Sequence, residues 1–236
     1  MNAMGSDVWW QFHGLVFREP LFMSMLVSLL LVIAALWLRR RASVPERTAS
    51  ALLEAIYTLM RDAVAEVVPA QYVEGVLPFV GTLWLFILLS NLLGLVPGLS
   101  SPTRDLSVTS ALAMIVFVAV HFYGVRAAGW TAYLKHYLSP NPILLPFHLV
   151  SEITRTVALA VRLFGNMMSL QMAAVLILLV AGLLVPVPLL LLHVIEALVQ
   201  AYIFGMLALI YIGSALEVSH DRLPAGDAPP PDSSRD

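Results

Sequence analysis

Residues 160–170 read AVRLFGNMMSL, which sets an arginine, Arg162, in the middle of one of the most apolar segments of the chain. A guanidinium stays charged at any cellular pH, and at a bilayer centre it costs roughly 2.5 to 3.5 kcal/mol on insertion scales. Around Arg162 the helical character continues from about Leu144 to Leu184. That is longer than one perpendicular crossing of a hydrocarbon core about 30 Å thick requires, so the segment must tilt, begin as a re-entrant helix, or wrap around a neighbour.

Working outward, the composition agrees with a membrane setting. The chain is 60% hydrophobic and 12% charged, and its apolar runs are too long and too uncharged for the core helices of a soluble domain. Cysteine is absent, which excludes disulfides, thiolate metal sites and thiol catalysis. The N-terminal residues show neither a basic run before an apolar core nor a small-residue cleavage pattern, so the first apolar segment is expected to stay as an anchor.

The pattern predicts an all-α polytopic membrane protein. It has about five transmembrane helices, a surface amphipathic helix, and a long tilted penultimate helix. A first span covers 21–38 and ends in Arg39, Arg40 and Arg41, a triplet that the positive-inside rule places in the cytoplasm. In 46–68, Leu53, Ile56, Met60, Val64 and Val67 recur at helical spacing, with Glu54, Arg61, Asp62 and Glu66 largely on another face. This is the reading of a helix on the cytoplasmic surface or against a soluble partner. A second span begins near Leu77 and stops at Pro97 and Gly98; a third runs over roughly 107–125. Residues 128–144 make a cytoplasmic connection, and Pro186 and Pro188 mark the turn before a last span at 189–216. The domain plan is therefore an external segment at 1–20, one transmembrane domain at 21–216, and a flexible cytoplasmic tail at 217–236.

Polar residues inside spans are functional candidates by default, because each is expensive there. Arg162, Asn166 and Ser169 fall at i, i+4 and i+7 on one stripe, while Gln171 lies about half a turn round from Arg162. The last helix carries His193, Glu196 and Gln200 at i, i+3 and i+7, with Tyr202 close by. If the two helices are antiparallel, Gln171 lies level with His193 and Gln200 lies nearer Arg162. Together they could line a wet path from the external side toward the arginine. The plainer reading of His193 with Glu196 is an interhelical hydrogen-bonded pair, and that of Asn91 is packing glue. His121, His148 and Glu152 are intermediate cases.

Soluble-enzyme chemistry has no foothold: the chain has no nucleophile elbow, no phosphate-cradling glycine loop and no metal-ligand spacing. No basic surface invites nucleic acid. Ion movement through a membrane remains. The residues alone leave open a stand-alone secondary transporter or channel gated by Arg162 and Glu196, and a purely structural scaffold.

The stretches RLFGNM (162–167), VQAYIF (199–204), SNLLGLVPG (90–98) and PTRDLSVTSALA (102–113) together resemble subunit a of the membrane sector of F-type rotary ATP synthases. The likeness runs from about 77 to 216. It implies a non-catalytic stator in a bacterial inner membrane, with the N-terminus external, the C-terminus cytoplasmic and no cofactor. Its final helix would face a rotating c-subunit ring, and helix 46–68 would meet the peripheral-stalk b subunits. By the same resemblance Arg162 meets the c-ring carboxylates with Gln200 as its hydrogen-bonding neighbour. Asn166, Gln171, His193 and Glu196 would line the external half-channel, Asp105 would stand at its mouth, and Glu152 and His148 would serve the cytoplasmic half-channel. Two positions depart from the family pattern. Gln171 stands nine residues after the arginine, where a titratable Glu or His is usual; His148 stands fourteen before it, where an acidic residue is common. A glutamine amide suits Na⁺ as well as a hydrated proton path, so the resemblance implies H⁺ or Na⁺ as the ion.

Overall fold

The computed structural model describes residues 8–12, 15–41, 47–96, 99–131, 133, 145–181 and 186–220. Helices dominate it, and five are long and apolar enough to cross a membrane. The protein is a multi-pass membrane protein, as its composition predicts.

One element outside the all-α expectation precedes the helices. Strand β1 (Val8–Phe12) pairs antiparallel with β2 (Leu15–Arg18), with Phe12 opposite Leu15 and an irregularity between Val8 and Trp10. The runs VWWQF and LVFR carry aromatic and β-branched residues that suit strands, but four or five residues give too little periodicity to mark them from spacing.

Helix α1 (Glu19–Arg41) follows at once. Only Met23 and Val27 of its large apolar residues are buried; Leu21, Phe22, Met25, Leu29 and Trp37 face outward, as lipid contact allows. Ser24 and Ser28 donate to the carbonyls of Leu21 and Ser24, so neither hydroxyl is left unsatisfied in an apolar setting. Helix α2 (Arg47–Ala65) is the amphipathic element. It buries Val64 against the bundle while Leu53, Ile56 and Leu59 stay exposed. Arg61 Nε donates to Glu74 Oε1 across to the next helix at 3.1 Å.

Helix α3 (Ala70–Leu93) starts at Ala70, well before the expected start near Leu77. Gln71 and Glu74 make its first turns polar, and Pro78 reads as a break. Yet Pro69 already ends the preceding turn, and the helix carries Pro78 inside it, with the Thr82 hydroxyl donating back to the Pro78 carbonyl at 2.7 Å. A 3-10 turn (Pro102–Arg104) leads into α4 (Leu106–Ala128). Gly129, at φ +80°, closes α4 with its N–H on the Val125 carbonyl. Most of the expected connection at 128–144 lies outside the described residues.

Helix α5 (Leu145–Ala181) has 37 residues and α6 (Pro186–His220) has 35. At about 1.5 Å per residue each exceeds a 30 Å hydrocarbon core, so both must tilt or extend past it. Helix α6 absorbs Pro186 and Pro188 in its first turn, where a missing N–H costs little, and runs past 216 to His220. The proposed tail beyond 220 lies outside the described residues.

The core is built from the inner faces of α3, α4 and α6, with part of α5. Val76, Val80 and Ile87 meet Val116, Leu163, Phe204, Leu209 and Ile212, each nearly or wholly buried. Helix α6 lies on α3 and α4, and α5 lies on α4. This leaves the outer faces of α5 and α6 side by side without a partner among the described residues: Val157, Val161, Leu176, Ile195, Leu198 and Val199 are all exposed.

Candidate functional site

Helix α5 turns Leu159, Leu163 and Met167 inward, and this fixes what its other side presents. Arg162 and Ser169 stand exposed beside Val161, on the side turned away from the helix bundle. Arg162 makes no hydrogen bond or ion pair with any described residue. A permanent cation held in an apolar span without a partner is a destabilised arrangement unless an anion is supplied from elsewhere.

Asn166, one turn along, does not share that outward face. Its Nδ2 donates to Gln200 Oε1 on α6 at 2.7 Å, and Gln200 is only 2% exposed. The stripe drawn from spacing alone therefore splits: Arg162 and Ser169 outward, Asn166 inward to α6. The hydrogen bond expected between Arg162 and Gln200 is not made; Asn166 occupies the Gln200 oxygen instead. Gln200 Nε2 is buried without a partner among the described residues.

The Asn166–Gln200 contact fixes an antiparallel register in which Gln171 falls level with Ile195, within about a turn of His193. Gln171, His193 and Glu196 are each half-buried, and no hydrogen bond links them to one another. His193 Nε2 is buried without a hydrogen-bond partner among the described residues. At the end of the bundle where α4 begins, Asp105 caps that helix: its carboxylate accepts from the Ser107 N–H at 2.8 Å and from the Ser107 hydroxyl. Asn91, fully buried, accepts from Thr103 at 2.7 Å and ties the end of α3 to the 3-10 turn, the packing role its sequence position suggested.

Toward the opposite end, a cavity of about 170 Å³ opens between α4, α5 and α6. His148 and Glu152 both line it, as does Arg155. Glu152 Oε2 stands 3.9 Å from His121 Nε2 on α4, and Arg155 lies over the Tyr211 ring, 5.4 Å from its centroid. His121 also holds the Phe117 carbonyl through Nδ1 at 2.8 Å. Tyr133, Thr156, Tyr211 and Ser214 complete the polar lining. Sequence reasoning named His148 and Glu152 but passed over Arg155 and Tyr211 as site residues. The signal was there: His148, Glu152 and Arg155 share the i, i+4, i+7 spacing used for the stripe around Arg162. Tyr211 and Tyr133 carried no signal, since only tertiary packing brings them in. Among the described residues no group of three or more His, Asp or Glu could hold a metal ion.

The chain thus has a polar pair at the α5–α6 seam, a bare arginine beside it, and a separate polar cavity toward one end. A family model described as ATP synthase A chain matches residues 21–213. ATP synthase subunit a 1 of Hahella chejuensis is 55% identical over 216 residues, covering 92% of this chain and 92% of that protein. ATP synthase subunit a of Legionella pneumophila is 59% identical over 177 residues, covering 75% of this chain and 76% of that one. ATP synthase subunit a 2 of Pelobacter propionicus is 62% identical over 165 residues, covering 70% of this chain and 72% of its own. With a match over most of its length and relatives of this identity, the chain belongs to the ATP synthase A chain family, the non-catalytic, ion-translocating membrane subunit of F-type ATP synthases.

Proposed function

We propose that the outer face of α5 and α6 is the stator surface along which a ring of c subunits turns in a bacterial inner membrane, with Arg162 as the fixed cation that each ring carboxylate meets. The observation that carries this is the position of Arg162: exposed, within a membrane span, on an apolar face, and without a partner among the described residues. A deprotonated carboxylate arriving opposite it supplies the charge-assisted pairing that offsets burial of the guanidinium. The same cation repels H⁺ or Na⁺ and keeps the two access paths from joining. Ions then have to travel with the ring, and each one crossing the membrane potential releases about 2.3 kcal/mol per 100 mV.

In this reading the end bearing Asp105 is external and the end bearing Arg126 is cytoplasmic, which puts the N-terminus outside and the C-terminus inside. Gln171, His193 and Glu196 line the external path, and Asn166 with Gln200 closes it beside the arginine. The cavity around His148 and Glu152 serves the cytoplasmic path. Leu53, Ile56 and Leu59 on α2 are left exposed for the peripheral-stalk b subunits and the lipid surface. The ion is H⁺ or Na⁺: with Gln171 unable to exchange a proton, His193 and Glu196 are the titratable groups on the external side.

Arg162→Ala in membrane vesicles tests the reading. ATP-driven ion pumping should disappear while ATP hydrolysis by the detached catalytic head persists; normal pumping would refute the assignment. Transport by this chain alone in liposomes would point instead to a stand-alone carrier. For the ion, pumping with an altered pH profile in His193→Ala supports H⁺, whereas Na⁺-dependent flux that ignores that substitution supports Na⁺.

A further inference from the structure

Trp84 of α3 is 8% exposed, and its indole is pressed into the backbone of α6 at Gly205. A Cβ at position 205 would lie 1.8 Å from Trp84 Nε1, 2.1 Å from Cδ1 and 2.6 Å from Cε2. Real Cβ atoms do not approach that closely, and here the atoms met belong to a rigid ring already enclosed by the core. The notch exists only because residue 205 has no side chain. Within it Trp84 Nε1 donates to the Tyr202 carbonyl at 3.3 Å, which a carbonyl with two lone pairs can accept while also serving its own helix. The Tyr202 ring lies nearly parallel to the indole, at 9° and 6.3 Å between centroids. One side chain of α3 therefore engages α6 by shape, by a hydrogen bond and by ring contact within a single turn.

That turn starts two residues after Gln200. Rotating α6 by one residue swings each side chain by about 100°, which would carry Gln200 away from Asn166. Ridge and groove packing alone leaves a tolerance of some 15–20° in how two helices cross, whereas an indole in a glycine notch admits one rotation and one height. We infer that Trp84 and Gly205 are a key and notch that set the rotation and height of α6 under the Arg162 face. They are positioning residues for ion translocation, acting through Gln200 and Asn166. The link to pumping rests on the stator reading above; the link to geometry does not.

The test uses the assembled complex and reads geometry and function separately. The chain has no cysteine, so Asn166→Cys with Gln200→Cys gives a clean pair for a short bis-maleimide, and its cross-linking yield reports whether the two positions still face one another. Into this background go Gly205→Ala, Trp84→Ala and both together; in parallel, the same substitutions in the native background are assayed for ions pumped per ATP hydrolysed. Subunit content of the purified complex is measured throughout. Gly205→Ala should lower both cross-linking and the pumping ratio by about tenfold, since a displacement near 1 Å at a reacting site has large kinetic effects. Adding Trp84→Ala removes the collision and should recover part of each. Trp84→Phe keeps an aromatic ring but loses the indole donor; it should assemble normally and lower the ratio by about twofold. Cross-linking that falls while pumping holds would overturn the link to translocation. Unchanged cross-linking in Gly205→Ala, or losses in the double variant that simply add, would overturn the key itself. Should Gly205→Ala fail to assemble, the double variant and Trp84→Phe decide: an unchanged ratio in Trp84→Phe counts against the proposal.

Discussion

Arg155 and Arg162 stand two turns apart on α5, on nearly the same face, and the chain treats them differently. Arg155 lies over the Tyr211 ring and beside a cavity that also holds Glu152, itself close to His121. Arg162 has no such company among the described residues. Around Arg155 the chain itself supplies a cation–π partner, and a carboxylate lines the same cavity. Around Arg162 no such contact is made among the described residues, and in the proposed stator reading another chain supplies the anion. On the proposed stator reading, the difference separates a cation that the fold itself partners from one that an assembly partners.

The comparison can be broken most forcefully by removing each charge in turn. Arg162→Gln should reduce ATP-driven pumping to background, a loss of roughly 100-fold or more, because Arg155, the other arginine on α5, sits about 10 Å further along the helix and is already engaged with Tyr211. Arg155→Gln should cost only about two- to fourfold in the same vesicle assay, since it removes a partly solvated contact. Equal losses at both positions would erase the distinction. Next in size is Gln200→Leu, which takes the acceptor from the half-buried Asn166 amide and should lower pumping by about tenfold. Glu152→Gln leaves His121 without its acid and should slow pumping by a few-fold.

A smaller effect sharpens the reading of Asp105. Its carboxylate is already engaged as the cap of α4, so Asp105→Asn, which can still cap, should assemble and pump normally, whereas Asp105→Ala should cost about 1 kcal/mol of stability. Loss of pumping in the asparagine variant with assembly intact would restore a charge-dependent role at the channel mouth. Smallest of all is the exposed pair on the far side of α2. The Glu74 carboxylate, by hydrogen bond and by charge, holds the Arg61 guanidinium above its usual range. A raised pKa on a cation contributes stability that is complete below its ordinary value and is lost only as pH rises past it. For arginine that lies beyond about pH 12. Melting curves should therefore show no pH dependence from Arg61 between about pH 6 and 9, and Glu74→Gln should leave pumping unchanged.

The spans were legible because apolar length is a strong signal: each of the five expected crossings coincides with a long helix. Their ends were less so. Pro78 reads as a breaker and Gln71 and Glu74 read as loop, yet tertiary packing of Val73, Val76 and Leu77 keeps α3 helical through all of them. The hairpin at 8–18 was missed because two short strands give little periodicity to detect. At the site, spacing identified Arg162, Asn166 and Gln200 but not which of them touch, since a helical wheel ranks faces without saying which one a neighbour covers. The Arg155–Tyr211 contact and the Trp84–Gly205 notch join residues from different helices, and a single helix pattern does not contain them.

The most direct measurement is the distance from the Arg162 guanidinium to the nearest carboxylate in the assembled complex, solved in a lipid environment. The account predicts a carboxylate of another chain within about 6 Å, opposite the α5–α6 face. A guanidinium paired instead with Glu152 or Glu196 of its own chain, with no foreign acid near it, would contradict it.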